Sequence, residues 1–201
     1  MKTINSRTDL INFIINKISA TKYLEIGVED GINFSQVICK YKVGVDPNIE
    51  SKATNYVISN EFFSKNQEKF DVIFIDGLHH CDQVYLDIKN SLKILNKNGF
   101  IVCHDLNPCE EYLQIVPRKQ SNWAGDCWKA WVKLRFENLN LNLRTINICS
   151  GCGVISLDKT TYPPNIDLPN DPFELSYSFL NQYRVDLLNL KSIEQFLDEM
   201  N

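Results

Sequence analysis

The sequence predicts an α/β fold, a mostly parallel seven-stranded sheet with helices on both faces and an extra C-terminal helical segment. Three observations predict it. Short apolar runs alternate with longer segments of helical periodicity as far as residue 105, the pattern of parallel strands joined by crossover helices. The runs over 23–26, 43–45, 71–75 and 100–103 each stop at glycine, an acid or histidine, as strands feeding a ligand crevice do. The chain has 201 residues, 44% of them hydrophobic and 23% charged, enough to bury the core of one domain.

Leu10, Ile11, Phe13, Ile14 and Ile18 recur at helical spacing and predict an amphipathic first helix. Tyr23–Ile26 follows as a buried strand ended by Gly27 and Gly31, with a helix over 33–39. Val43–Val45 is a second strand, stopped by Asp46-Pro47-Asn48, and 55–58 a third, weaker one before a short helix over 61–68. Asp71–Ile75 is the clearest strand and ends at Asp76-Gly77. Val84, Ile88, Leu92 and Leu95 share one face of a long helix closed by Asn98-Gly99. Phe100–Cys103 is the fifth strand and ends at His104-Asp105.

Beyond Pro108 the pattern loosens into a loop to about residue 122, then predicts a helix over 126–135 and strands over 143–148 and 153–157. Four prolines within 162–172 mark a surface connection, and 175–200 returns to helical patterning. The reading is one domain over 1–201, with a core over about 20–157 and a C-terminal helical extension over about 160–201.

Composition narrows the function. A net charge of −4 and scattered basic residues argue against nucleic acid as the partner, because phosphate binding leaves a basic footprint. No apolar stretch approaches the roughly 18 residues that cross a bilayer. Asn5, Arg7, Asp9, Asn12 and Asn16 break the first twenty residues, which does not suit a signal peptide. Seven cysteines, an odd number set among apolar neighbours, suit reduced thiols and a cytoplasmic setting.

The chemistry gathers at the strand ends. The first strand offers Glu25 and the Gly27–Gly31 turn, the second Asp46, the run over 71–75 Asp76 and His79, and the run over 100–103 His104 and Asp105. Glycine lets a backbone approach a ligand closely at positive φ, and the helix after it would offer free N–H groups. Asp46, 19 residues after Gly27, is placed to accept both hydroxyls of a ribose. Each feature alone suits ordinary turns and helix caps; together they favour a nucleoside-bearing ligand. The turn is G-x-x-x-G, not the G-x-G-x-x-G of dinucleotide-binding folds.

Tyr23-Leu-Glu-Ile-Gly-Val-Glu-Asp-Gly31, Val43-Gly-Val-Asp46-Pro47, Phe70-Asp-Val-Ile-Phe-Ile-Asp-Gly-Leu-His79 and Leu95–Asp105 resemble successive motifs of class I, Rossmann-like S-adenosylmethionine-dependent methyltransferases. The subgroup is similar to small-molecule and sugar O-methyltransferases, some of which carry a segment like Asn122-Trp-Ala-Gly-Asp-Cys-Trp-Lys129. The resemblance covers about 20–157 and implies S-adenosyl-L-methionine as cofactor. Glu25 and the Gly27, Val28 and Gly31 turn would face its methionine portion, Asp46 and Pro47 its ribose, and Ser59 to Glu61 its adenine. Asp76 would sit beside the sulfonium or the acceptor. One departure is Val28-Glu29, where many members carry a second glycine.

Methyl transfer to oxygen requires that the acceptor lose a proton, and histidine titrates near working pH. His79 is the first expectation for this base and His104 the second, with Asp105 able to orient an imidazole. Asp76, His79, His104 and Asp105 could together take a divalent cation. Related sugar methyltransferases that use magnesium resemble a pair of acids where this chain has His104-Asp105, and imidazole suits magnesium poorly; a metal is not favoured. Cys149-x-x-Cys152 lacks the second pair that a zinc site needs. Trp128 and Trp131 share helical spacing and suit the core, whereas Trp123 suits an acceptor contact. Arg118, Lys119 and Lys129 could attract a phosphate on the acceptor or simply be solvated.

The expected partner is a small-molecule acceptor, extending to a sugar or nucleotide-sugar, with no nucleic acid and no membrane insertion; homo-oligomerisation is left open. Two other readings stand beside the enzyme: a catalytically inactive cofactor-binding regulatory module of the same fold, and an NAD-dependent oxidoreductase.

Overall fold

The computed structural model describes residues 4–137 and 140–200. In chain order the elements are α1 (Arg7–Ile18), β1 (Lys22–Ile26), α2 (Ile32–Gln36), β2 (Tyr41–Val45), α3 (Ser59–Lys65), β3 (Phe70–Ile75), α4 (Cys81–Ile94) and β4 (Leu95–Cys103). Then follow α5 (Cys127–Phe136), β5 (Asn142–Ile146), β6 (Cys152–Ser156), α6 (Tyr177–Leu188), β7 (Leu190–Lys191) and α7 (Ile193–Met200). The seven strands form one sheet in the order β2-β1-β3-β4-β6-β5-β7. Strand β6 runs antiparallel to both β4 and β5, and every other pair is parallel.

Side-chain alternation along the strands divides the core into two layers. Leu24, Ile73, Ile101 and Ile155 face Val84 and Ile88 of α4, Trp128 and Trp131 of α5, and Leu187 of α6. Tyr23, Val72, Phe74 and Val102 face Leu10, Ile11 and Ile14 of α1, with Phe196 of α7 in the same layer. Helix α1 forms where its apolar spacing predicts, and the Ser6 hydroxyl caps it by accepting the Asp9 amide at 3.1 Å. Both tryptophans of α5 are fully buried, as their spacing predicts. Among the described residues no helix is long and apolar enough to cross a membrane.

The structure corrects several boundaries. Residues 55–58 form no strand. The Thr54 and Asn55 amides both donate to the Gly44 carbonyl, at 3.0 and 2.9 Å, which turns the segment and leaves one isolated bridge from Asn55 to Val45. The seventh strand is instead β7, two residues of the C-terminal segment lying parallel to β5. Leu95 starts β4 rather than extending α4, and pairs with Phe70 below a register shift. The Asp71 carboxylate clamps that corner, accepting from the Thr21 and Lys22 amides at 2.8 and 2.9 Å and from the Asn96 side chain at 2.7 Å. Helices α2 and α3 are shorter than predicted, with five and seven residues.

Candidate active site

Four parallel neighbours end level with one another. The ladder continues one residue past each strand: Gly27 N–H donates to Val45 O at 2.9 Å, Asp76 N–H to Ile26 O at 2.8 Å and His104 N–H to Ile75 O at 3.0 Å. Asp46, Gly27, Asp76 and His104 therefore form a row across β2, β1, β3 and β4, in register with Ile26, Val45, Ile75 and Cys103 just below. Level residues of parallel strands point to the same face. The row thus shares the α1 face with Glu25, Phe74 and Val102, and the sequence expectation that these tips meet at one edge is met.

Gly27 is the member without a side chain. Its φ is +86°, and a Cβ there would lie 2.2 Å from the Asp76 carbonyl oxygen, so the close approach of the two strand ends requires glycine. The loop beyond it is held by Asp46. Its Oδ2 accepts the Val28 and Glu29 amides at 3.0 and 2.9 Å, and its Oδ1 accepts the Asn48 amide at 2.8 Å. A carboxylate offers about four acceptor positions; three are used here, so Asp46 struts the loop before it meets any ligand. Pro47 is exposed beside it. Gly31 caps α2 at φ +76°, but the helix has five residues and the Ile32 amide already donates to Asp30 at 3.0 Å. The free N–H groups expected of that helix are correspondingly few.

Glu25 is buried below the row and accepts the Tyr23 hydroxyl at 2.5 Å and the Asn33 amide at 2.8 Å. Burial pushes its carboxyl up to about 7, against the pull of those two donors. Ser59 opens α3 and accepts a bond from Gln83 of α4 at 3.2 Å, so it belongs to an α3–α4 contact that also includes buried Asp87.

Beside the row, two carboxylates and two imidazoles interlock. His104 Nδ1 lies 3.1 Å from Asp76 Oδ1 and 3.3 Å from Asp105 Oδ2. His79 Nε2 lies 3.3 Å from Asp76 Oδ1, and its Nδ1 lies 3.4 Å from Asp105 Oδ2 and 3.3 Å from the Trp123 carbonyl. Asp105 follows β4 and reaches back because its φ is +58°, a left-handed conformation that Asp tolerates. The loop before α5 closes over His79: the Trp123 ring stacks on the imidazole with centroids 5.4 Å apart. Gly125, at φ +63°, leaves room for the His79 carbonyl, which a Cβ would meet at 1.9 Å.

The electrostatics follow from this packing. Burial pulls the His104 imidazole down, but Asp76 and Asp105 outweigh it and push the ring up to about 10. His79 is raised for the same reason, burial opposing and Asp76 prevailing. For Asp76 burial works upward, and the two imidazoles overcome it and hold the carboxyl well below the usual range. His104 therefore carries its proton at neutral pH, and His79 holds its proton more tightly than an ordinary imidazole.

One member was invisible in the sequence. Arg7, in the first turn of α1, places Nη1 3.6 Å from Asp76 Oδ2 and 3.3–3.4 Å from the His104 ring nitrogens. It is 97 positions from His104, and only the packing of α1 on this face reveals it. Asn33 was likewise missed. Arg118 is folded onto the carbonyls of Gln120 and Ser121, and Lys129 faces Asp126 at 3.5 Å. Cys149 is exposed, Cys152 is buried, and both are free thiols. Ligand atoms of Asp76, His79 and Asp105 lie within 4.8 Å of one another, two carboxylates and an imidazole that could face a divalent cation. Such an ion would compete with His104 Nδ1 for both carboxylates.

Residues 36–106, from the end of α2 to just past His104, match a family described as a methyltransferase domain. A cofactor-bound protein from MTB superposes with a TM-score of 0.60 at 13% identity, covering 79% of this chain and 83% of that one. The O-methyltransferase of Bacillus cereus in complex with SAH gives 0.55 at 13%, covering 77% and 80%. An SAH-bound methyltransferase of Podospora anserina gives 0.54 at 17%, covering 76% and 79%. The chain has a class I methyltransferase fold. The resemblance read from the motifs thus holds for the fold and for the 36–106 segment of this methyltransferase-like chain. A sequence comparison with curated proteins gives no match.

Proposed function

We propose that this chain is an S-adenosylmethionine-dependent O-methyltransferase acting on a small hydroxylated molecule, with sugars and nucleotide-sugars as the acceptor class to test first. The observation that carries the reading is the level row Asp46, Gly27, Asp76 and His104 with the strutted loop above it. One chain, 1–201, is read as a single domain, because the C-terminal extension contributes β7 to the same sheet.

The residues suit the cofactor. The bare glycine between two acidic strand ends leaves backbone, not side chain, facing the crevice, and Asp46 keeps one acceptor position for a ribose hydroxyl. Glu25 and the Gly27, Val28 and Gly31 loop would hold the methionine portion, Pro47 would border the ribose, and Ser59 would flank the adenine. When bound, S-adenosylmethionine supplies a methyl group on a positively charged sulfur. The chain's own task is then to hold the acceptor oxygen in line and to remove its proton.

His79 is the base in this reading. Asp76 and Asp105 fix its ring from both sides and Trp123 covers one face, so its orientation is set before the acceptor arrives. The same carboxylates favour the protonated ring, so His79 must first lose that proton to solvent, and the neutral imidazole then accepts the proton of the acceptor hydroxyl. His104, pushed up to about 10 by Asp76 and Asp105, serves as a fixed positive charge that keeps Asp76 ionised, and Asp105 positions both rings.

The test is release of S-adenosylhomocysteine from purified chain supplied with S-adenosylmethionine and a panel of catechol, hexose and nucleotide-sugar acceptors. Turnover with at least one acceptor, abolished in His79→Ala, supports the reading. Binding of cofactor without turnover on any hydroxylated acceptor counts against it.

A further inference from the structure

At the β7 edge of the sheet, a cleft of about 400 Å³ is lined by Asn142, Arg135, Arg144, Lys159, Lys191 and Glu199. Strand β5 runs parallel to β4, since both are antiparallel to β6. Asn142, at the start of β5, therefore lies toward the end of the sheet away from the row at Asp76 and His104.

Four cationic side chains meet one carboxylate in this lining, within a chain whose net charge is −4. Two of them are buried in an unusual way. Arg135 and Arg144 are 4% and 3% exposed, and the Nε–H of each has no hydrogen-bond partner. Three of the other donors of Arg135 hold the carbonyls of Asp186, Leu187 and Tyr162. Arg144 lies over the Phe196 ring at 5.3 Å and touches the Met200 sulfur at 3.5 Å. Glu199 is shared, 3.6 Å from Arg144 Nε and 3.6 Å from Lys191 Nζ, beyond hydrogen-bond reach of either. The nearby Asp158 accepts the Ser156 hydroxyl.

Four cations lining one cleft against a single carboxylate leave an excess of positive charge that calls for an anion, and the unpartnered Nε–H groups, buried beneath that lining, add donors to the same positive field. We infer that this cleft binds a phosphate group, either free or as the ester of a small molecule. A tetrahedral oxyanion offers acceptors in several directions and up to two charges, and guanidinium groups recognise it with directed N–H bonds. Burial lowers both arginines from their ordinary range, that of Arg135 to about 10, as expected of cations whose counter-charge is incomplete.

Calorimetric titration of the full chain at low ionic strength, with inorganic phosphate and with methyl phosphate, tests this. Wild type is expected to bind at least one probe at a single saturable site. Lys159→Ala/Lys191→Ala should bind it at least tenfold more weakly, while affinity for S-adenosylhomocysteine stays unchanged. The arginines are left intact because they hold α6 and Phe196; should the double variant fold poorly, exposed Lys159→Gln alone must still weaken binding. Tighter binding of methyl phosphate identifies an ester as ligand, and the reverse identifies the free ion. Absence of saturable binding of both probes, or equal binding by wild type and a folded variant, overturns the inference.

Discussion

Asp76 and His104 form a buried ion pair, with Oδ1 and Nδ1 3.1 Å apart, at the ends of adjacent parallel strands. Removing one partner of such a pair strands the other charge away from water. His104→Ala is therefore expected to destabilise the fold by about 3 kcal/mol, with His79 and Arg7 still offering Asp76 partial compensation. Urea denaturation of wild type and variant checks this; a change near zero would show that His104 does not carry the charge balance of the site.

His79→Ala separates chemistry from binding. Loss of a general base typically lowers turnover by about 10²–10⁴-fold, and His79 bonds to Asp76, Asp105 and Trp123 rather than to the glycine loop. Turnover should fall in that range while S-adenosylhomocysteine binds as in wild type. Parallel loss of affinity would instead make His79 part of the cofactor pocket.

Gly27→Ala tests the close approach of β1 and β3. The substitution places a Cβ 2.2 Å from the Asp76 carbonyl oxygen at a φ of +86°, so both sterics and backbone conformation oppose it. The expected cost exceeds ~1 kcal/mol, read as a lower unfolding midpoint, together with weaker S-adenosylhomocysteine binding. Unchanged stability would mean that the strand ends are farther apart than described.

Buried acids predict a slope of stability with pH. Burial raises Glu25 from 4.5 to about 7 and Asp87 from 3.8 to about 6. Each is more readily protonated folded than unfolded, so the native state binds more protons between those values. Stability should fall as pH rises from about 4 to about 7, by at most ~1.4 kcal/mol per pH unit for each group. His104, raised to about 10, acts in the same direction at higher pH: its contribution is complete below about 6.5 and is lost toward 10. Asp76, lowered, contributes its stability above its ordinary carboxylate range and so does not oppose the slope. Chemical denaturation at pH 5, 6, 7 and 8 checks this, and Glu25→Gln should flatten the lower part of the curve.

The legible parts of the fold were those whose burial is two-sided and whose ends carry turn residues. Asp71–Ile75 and Phe100–Cys103 are apolar runs closed by acid or histidine, and both are strands. Residues 55–58 carry similar side chains, but backbone bonding to Gly44 decides their conformation, and residue patterning does not encode it. Strand β7 is two residues long, too short for any periodicity. In the site, the strand-end row was readable because parallel strands begin and end together. Arg7 was not, since its role depends on where α1 docks. Asp46 ends β2 as the strand pattern predicts, and its bonds are to the loop amides.

The most direct measurement is calorimetric titration with S-adenosylhomocysteine on wild type and Asp46→Ala. Removing the carboxylate frees the Val28 and Glu29 amides and any ribose contact together, so wild type should bind with a clear saturable heat and the variant at least tenfold more weakly. Equal affinity in the two proteins would contradict a cofactor site built on the Asp46-held loop.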